Sequence, residues 1–78
     1  MNMNIVEIYE RTKANCSYYE REGKRLSLLN EIGVLRGVAY CLEVMTGKLP
    51  FDDSEFMRLI DIQKEMKNQE DRQWPTRN

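Results

Sequence analysis

The sequence predicts an all-α fold, either a helical hairpin or a three-helix arrangement, with helices at about residues 4–22, 24–46 and 53–72. Three segments carry apolar residues at the three- and four-residue spacing of a helix face. The two prolines, Pro50 and Pro75, lie where helices would start or stop. A length of 78 residues allows one domain. We expect residues 1–73 to form it and residues 74–78 to be a short tail.

The first segment carries a single apolar stripe that is typical of a helix packed on one side. Asn2 or Asn4 can cap its start, and Gly23 is a possible end. One alternative stays open at this point, because a row of residues seven apart continues across the glycine and also fits one helix over residues 4–46. The change from a one-sided to an all-round apolar pattern favours the turn. The stripe consists of Ile5, Ile8, Tyr9, Thr12, Cys16 and Tyr19.

A turn near Gly23 sets the register between the first two helices. Cys16 is then expected to face Gly33, and Tyr9 to lie near Tyr40. Cys41 lies roughly 12 Å along the helix axis from Cys16 at this register. A disulfide cannot cross that distance, so we expect both thiols to be free.

The second segment is apolar nearly all round. Leu28, Leu35 and Leu42 repeat at seven, as in a coiled-coil seam. A second apolar side is formed by Val34, Cys41 and Val44, and the only charged residues between positions 34 and 45 are Arg36 and Glu43. This pattern predicts a buried central helix with one narrow wet stripe. Gly47 marks its end.

Helix two has more apolar surface than two short neighbours can cover. A chain of this length also buries only about 60% of its unfolded surface and is marginally stable without a disulfide, a metal or a partner. We therefore expect a homodimer or a higher oligomer, in the form of a helical bundle.

The third segment has the best-marked start. Asp52 is the predicted N-cap, with Glu55 at the capping-box position, and Phe51 and Phe56 have the spacing of a hydrophobic staple. These acids suit the positive end of the helix dipole, so we interpret them as structural. The helix presents a moderately apolar face that includes Phe56, Leu59, Ile60, Gln63 and Met66.

The composition argues against most chemistry. The chain has no histidine and only two cysteines, so the commonest general base is missing and a tetrahedral sulfur site cannot form. We expect no cofactor, no metal and no enzymatic activity, and we interpret Cys16 as a buried apolar residue and Cys41 as inert. The longest apolar stretch is shorter than the roughly 20 residues of a membrane span. The sequence starts without the basic and apolar regions of a signal peptide, so we expect a cytoplasmic protein.

A protein partner is the leading functional hypothesis. We expect a small non-enzymatic interaction module that acts by helix packing on a larger partner. Such a module would be an adaptor, an inhibitor or an accessory regulatory subunit, of the kind that phages and mobile elements carry. Gly33 and Gly37 leave a flat notch on helix two, which another helix of the same chain or of a second chain should fill. The predicted contacts are Gly33, Gly37, Phe56, Leu59, Ile60, Met66 and Trp74.

The alternative hypothesis is a small nucleic-acid-binding regulator. Arg21, Lys24 and Arg25 form a local basic corner near the first turn. Glu20 and Glu22 interrupt that corner, and 12 basic residues stand against 13 acidic ones in the whole chain. Phosphate contacts dominate nucleic-acid affinity, so a nearly neutral chain favours a protein partner.

Overall fold

Three α-helices make up the fold in the computed structural model, which describes residues 4–47 and 52–73, with side chains as far as residue 68. They are α1 (Ile5–Glu22), α2 (Arg25–Thr46) and α3 (Ser54–Gln73). No strand is present within those ranges. The predicted all-α fold is therefore confirmed as a three-helix arrangement, and the predicted helix boundaries hold to within one residue.

Glycine ends α1 and decides between the two predicted topologies. Gly23 adopts the left-handed conformation with φ of 71°, which residues with a Cβ rarely adopt. Its N–H donates to Glu20 O at 3.2 Å, and the Lys24 N–H donates to Tyr19 O at 3.0 Å. These bonds satisfy the last carbonyls of α1. The chain turns at Gly23, so a single helix over residues 4–46 is excluded.

The start of α1 and the end of α2 follow local sequence rules. Asn4 Oδ1 accepts from the Glu7 N–H at 2.9 Å, and Glu7 Oε1 accepts from the Asn4 N–H at 3.1 Å. This reciprocal pair is a capping box. Gly47 has φ of 75°, and its N–H donates to Glu43 O at 2.8 Å. Both signals were readable because each lies within one turn of the chain.

The cap of α3 is Asp53 and not Asp52 as predicted. Asp53 Oδ1 accepts from the Glu55 and Phe56 N–H groups at 3.1 and 3.2 Å, while Asp52 is exposed. Glu55 thus occupies the second helical position, so the predicted capping box does not form. The physical reason is tertiary, since α1 supplies two hydrogen-bond donors to the other oxygen of Asp53. Phe51, the other half of the predicted staple, lies outside the described residues.

The core lies along one side of each helix. Ile32, Leu35, Leu59 and Cys16 are its largest fully buried side chains. The remaining buried apolar residues surround them, and they come from all three helices: Tyr9, Leu28, Ala39, Phe56, Ile60 and Met66.

The prediction that α2 is buried all round is wrong for this chain. Leu28, Ile32, Leu35 and Ala39 on one side are at most 5% exposed. On the other side Leu26 is 76% exposed and Val44 65% exposed. The reason is that α1 and α3 both pack on the same side of α2. The surface of α2 in contact with water is therefore a broad apolar side, and not only the narrow stripe predicted at Arg36 and Glu43.

The prediction that Cys16 of α1 faces Gly33 of α2 is also wrong. Gly33 has no atom within 4 Å of an added Cβ, so it does not face Cys16. Tyr40 is 67% exposed, whereas Tyr9 lies against Phe56 with ring centroids 6.0 Å apart. The glycine and the tyrosine both belong to the outward side of α2. Both cysteines are free, as predicted.

Candidate interaction surface

An uncharged row of side chains runs the length of α2 on its outward side. Its residues are separated by 4, 3, 4, 3 and 4 positions, which is the spacing of a helix face that meets another helix. Val34, Cys41 and Met45 flank this row on one side. All nine residues are exposed, and we call them the open face of α2. The row itself consists of Leu26, Asn30, Gly33, Gly37, Tyr40 and Val44.

The large side chains of the open face keep most of their surface in water. The exposed fractions are 76% for Leu26, 67% for Tyr40, 65% for Val44, 69% for Met45 and 51% for Val34. Scattered exposed apolar residues are common on proteins, but a contiguous apolar patch usually marks an interaction site. The open face is contiguous and extends over a helix about 33 Å long.

The glycine notch lies at the middle of the open face and is empty. A Cβ added at Gly33 or at Gly37 would meet no atom within 4 Å. The expectation that another helix of the same chain fills the notch is therefore wrong, because α1 and α3 lie on the opposite side. Each glycine also weakens the helix by about 1 kcal/mol relative to alanine. Among the residues that the structure describes, no close contact at either glycine offsets that cost.

The predicted contact face of α3 is covered by the chain itself. Phe56, Leu59, Ile60 and Met66 are at most 9% exposed and belong to the core. In this structure they hold α3 against α1 and α2, and they are not accessible to a partner. Trp74, the remaining predicted contact, lies outside the described residues.

The basic corner of the alternative hypothesis is exposed. Arg21, Lys24 and Arg25 all lie on the surface around the turn between α1 and α2. Lys24 and Arg25 border a shallow pocket of about 310 Å³ together with apolar residues and Glu20. The Glu20 carboxylate is held by Arg58 of α3 at 2.9 Å, so this acid stays fixed beside the basic residues.

A row of polar side chains on α1 holds the first turn of α3. Tyr9 Oη donates to Asp53 Oδ2 at 2.8 Å, and Lys13 Nζ donates to the same oxygen at 2.5 Å. Lys13 also pairs with Glu10 at 3.3 Å and lies over the ring of Tyr9. The two hydrogen bonds to Asp53 join α1 to the start of α3 and link residues that are 44 and 40 positions apart in sequence.

The pKa values in this cluster follow from its contacts. Burial would raise the pKa of Asp53, but hydrogen bonds from Lys13, Tyr9 and the Phe56 N–H outweigh it and lower that pKa. Burial would lower the pKa of Lys13, but hydrogen bonds to Asp53 and Glu10 outweigh it and raise that pKa. Burial and the carboxylate of Asp53 raise the pKa of Tyr9. Each group is held in its ordinary protonation state, which suits a structural role.

The same row continues with a second group of contacts. Ser17 Oγ donates to Glu55 Oε2 at 2.9 Å. Arg58 donates to Glu55 and, with two nitrogens, to both oxygens of Glu20 at 2.9 and 3.0 Å. Hydrogen bonds from Arg58 and Ser17 lower the pKa of Glu55, and those to Glu20 and Glu55 raise that of Arg58. We did not predict these contacts from the sequence, although the helical spacing of Tyr9, Lys13 and Ser17 was a usable signal.

The two cysteines differ in environment. Cys16 is fully buried, and burial together with the nearby carboxylates of Glu31, Glu55 and Glu20 raises its pKa to about 12. Its thiol is therefore protonated and unreactive at neutral pH. Cys41 is exposed on the flank of the open face, on the side of α2 that the all-round apolar pattern had predicted to be buried.

A groove between α2 and α3 borders the open face. It has a volume of about 390 Å³, and Tyr40 forms part of both the groove and the open face. Charged groups line its rim, among them Arg36, which donates to Gln63 Oε1 at 3.0 Å. The open face thus has an apolar flank toward Met45 and a polar flank toward this groove.

Other kinds of site are missing from the part of the chain that the structure describes. Over residues 4–47 and 52–68, no three histidine, cysteine or carboxylate side chains come close enough together to hold a metal ion. The helices described there are also too short or too polar to cross a membrane. No family model, curated protein or solved structure matches this chain.

Proposed function

We propose that this chain is a non-enzymatic interaction protein that works through the open face of α2. The observation that supports the proposal is a contiguous, exposed and uncharged helix face with an empty notch at its middle. An interface of this kind recognises another helix by close packing. An adaptor, an inhibitor or an accessory regulatory subunit needs no more than such a face.

The glycines strengthen this reading of the face. Two mid-helix glycines reduce the stability of a small domain, and no tight contact with the described part of the fold requires them. A role in binding gives them a reason, because a helix surface without side chains lets a second backbone approach closely. The same face lacks the basic groups that nucleic-acid binding requires.

The nucleic-acid alternative keeps one supporting observation, the exposed position of Arg21, Lys24 and Arg25. A gel shift of the purified protein with DNA and RNA at several salt concentrations tests it. If the alternative is right, binding weakens with salt and Arg25→Glu abolishes it. We expect no shift.

Site-specific photo-crosslinking in cells that express the protein tests the proposed function. A benzophenone amino acid replaces Val34 on the open face, and a matched control carries it at Ala14, which is exposed on α1. We expect protein adducts from position 34 and none from position 14. Mass spectrometry then identifies whether the adduct is another protein or a second copy of this chain.

Two controls keep the result interpretable. Gly37→Arg in the Val34 crosslinking variant should abolish the adducts, because nothing lies within 4 Å of an added Cβ and the fold can accept the side chain. Circular dichroism checks that the helices remain. A lack of adducts at position 34, or equal adducts at position 14, would show that the open face is not the binding surface.

A further inference from the structure

We infer that the open face of α2 binds the open face of a second copy of this chain, with the two helices antiparallel. The inference rests on the proposed function and names the partner of the same surface. The two α2 helices come closest to each other at Gly33 and Gly37. The two-fold axis passes near the level of residue 35, halfway between the glycines.

The row of the open face is symmetric about that level. In an antiparallel pair, Leu26 lies opposite Val44 of the second copy, and Asn30 lies opposite Tyr40. Gly33 of each copy lies opposite Gly37 of the other. A two-fold interface requires a surface that is its own complement, and here every residue of the row meets another residue of the same row.

Side-chain size favours the antiparallel orientation over the parallel one. Antiparallel pairing places glycine opposite glycine at the centre, a medium side chain opposite a large one in the next layer, and two aliphatic side chains at each end. The gap between the helices therefore widens evenly in both directions. Parallel pairing would place Gly37 opposite Gly37 and, one turn further along, Tyr40 opposite Tyr40. The two helix axes would then have to be close at the glycines and far apart at the tyrosines, only about 5 Å along the helix.

The exposed area is sufficient for a stable dimer. The five large side chains of the open face are half to three-quarters exposed. Together they expose roughly 600 Å² per copy, so that complete burial on both copies would cover about 1,200 Å², which reaches the lower bound of specific interfaces. Burying this area also supplies the additional core that a domain of this size usually needs.

The charges near the row are compatible with self-association. The nine residues of the open face carry no charge, so no like charges oppose each other at its centre. Asn30 and Tyr40 place one amide and one hydroxyl in opposing positions, so that each such pair can form a hydrogen bond across the interface. Arg36 lies on the polar flank, where its hydrogen bond to Gln63 draws it toward α3.

Sedimentation equilibrium of the purified full chain tests the association. We expect a dimer at tens of micromolar for the wild type and for Ala14→Arg. Gly37→Arg should raise the dissociation constant by at least about 100-fold, because arginine separates the helices at their closest approach and buries an unpaired charge. A monomeric wild type would overturn the inference, and so would a Gly37→Arg variant that dimerises as tightly as the wild type.

Disulfide trapping tests the orientation. Two variants are made in a Cys41→Ser background, one with Leu26→Cys and one with Val44→Cys. Each variant is oxidised alone, and the two are also oxidised as a mixture in which a mass tag on one variant identifies mixed dimers. Antiparallel pairing predicts crosslinked dimers only in the mixture, because like positions are then about 27 Å apart along the axis. Crosslinking of Leu26→Cys or Val44→Cys alone would show a parallel pair and overturn the antiparallel register.

The two proposals fail in different ways. If the wild type is monomeric but position 34 still crosslinks to another protein, the inferred self-association is wrong and the proposed function stands. If the wild type is monomeric and position 34 gives no adduct, both are wrong.

Discussion

The two sides of α2 are both largely apolar and have opposite surroundings. The inner side, with Leu28, Ile32 and Leu35, is at most 5% exposed and lies between α1 and α3. The outer side, with Leu26 and Val44, is also apolar and remains in water. The inner side has branched side chains that fill space, whereas the outer side has glycines at its centre.

This difference separates apolar residues that hold the fold from the apolar residues to which we assign the proposed binding role. Side chains that fill a core are expected to be large and well packed. A surface that admits another backbone is expected to be flat, and glycine makes it so. Polar contacts between α1 and α3 also stabilise the packed side of the molecule. The centre of the open face has no contact of this kind, because Gly33 and Gly37 have no side chain.

The largest effect on stability should come from truncating a residue on the inner side of α2, compared with its sequence neighbour on the outer side. Leu35→Ala removes a fully buried side chain and should cost about 3 kcal/mol of unfolding free energy, enough to unfold much of so small a domain. Val34→Ala, one residue away, should change it by less than about 0.5 kcal/mol. Urea unfolding followed by circular dichroism measures both, in the Gly37→Arg background to avoid association. Similar losses for the two variants would contradict the comparison.

A smaller effect should come from the polar contacts of the closed side. Asp53→Asn keeps an N-cap oxygen but loses the ion pair with Lys13, which is mostly buried at 14% and 22% side-chain exposure. We expect a loss of about 1–2 kcal/mol at pH 7. Tyr18→Phe, on an exposed tyrosine of α1, serves as a control and should have little effect.

The effect of Asp53→Asn should depend on pH with a defined sign. The folded-state pKa of Asp53 lies below its ordinary value of 3.8, so its contribution is complete above about pH 4 and declines as the pH falls through the folded pKa. The unfolding free energies of wild type and variant should therefore converge in acid. A difference that stays constant down to pH 2 would show that the charge of Asp53 does not contribute.

A still smaller effect is expected from Gly37→Ala at the notch, where the change should affect the stability of the fold and the stability of the dimer in opposite directions. Gly37→Ala should increase the unfolding free energy of the isolated chain by about 0.5–1 kcal/mol, because alanine favours the helix and no atom lies within 4 Å. The same change should weaken the dimer severalfold, because two methyl groups then separate the helices. Chemical unfolding in dilute solution and sedimentation equilibrium measure the two effects. If both stability and association increase, the notch is not the point of closest approach.

The smallest effect should come from the polar flank. In the antiparallel register, Arg36 lies at the same level as its counterpart in the second copy, so the two like charges oppose each other weakly. Arg36→Gln should lower the dimer dissociation constant about two- to threefold, within the range of exposed charge pairs. Added salt should produce a similar change in the wild type but not in the variant. A weaker Arg36→Gln dimer would point to a role for Arg36 in binding.

The sequence by itself determined the helices and most of their ends. Asn4 and Gly47 act within one turn of the chain, so local patterns were sufficient to place their boundaries, whereas the turn at Gly23 was favoured by the sequence and decided by the structure. The apolar spacing of α1 and α3 likewise identified their buried faces, including Phe56 and Leu59, although we had assigned those residues to a partner.

Only the tertiary structure decided that the second apolar side of α2 stays exposed. The seven-residue seam with Leu28 and Leu35 already marked the side that is buried, but the apolar residues on the other side predicted burial there as well, and the outcome depends on where α1 and α3 lie. The same placement selected Asp53 over Asp52 as the cap, because Tyr9 and Lys13 donate to one residue and not to the other. Contacts between residues 40 or more positions apart carry no local pattern. For that reason the open face, which directs the proposed function, became visible only in the folded chain.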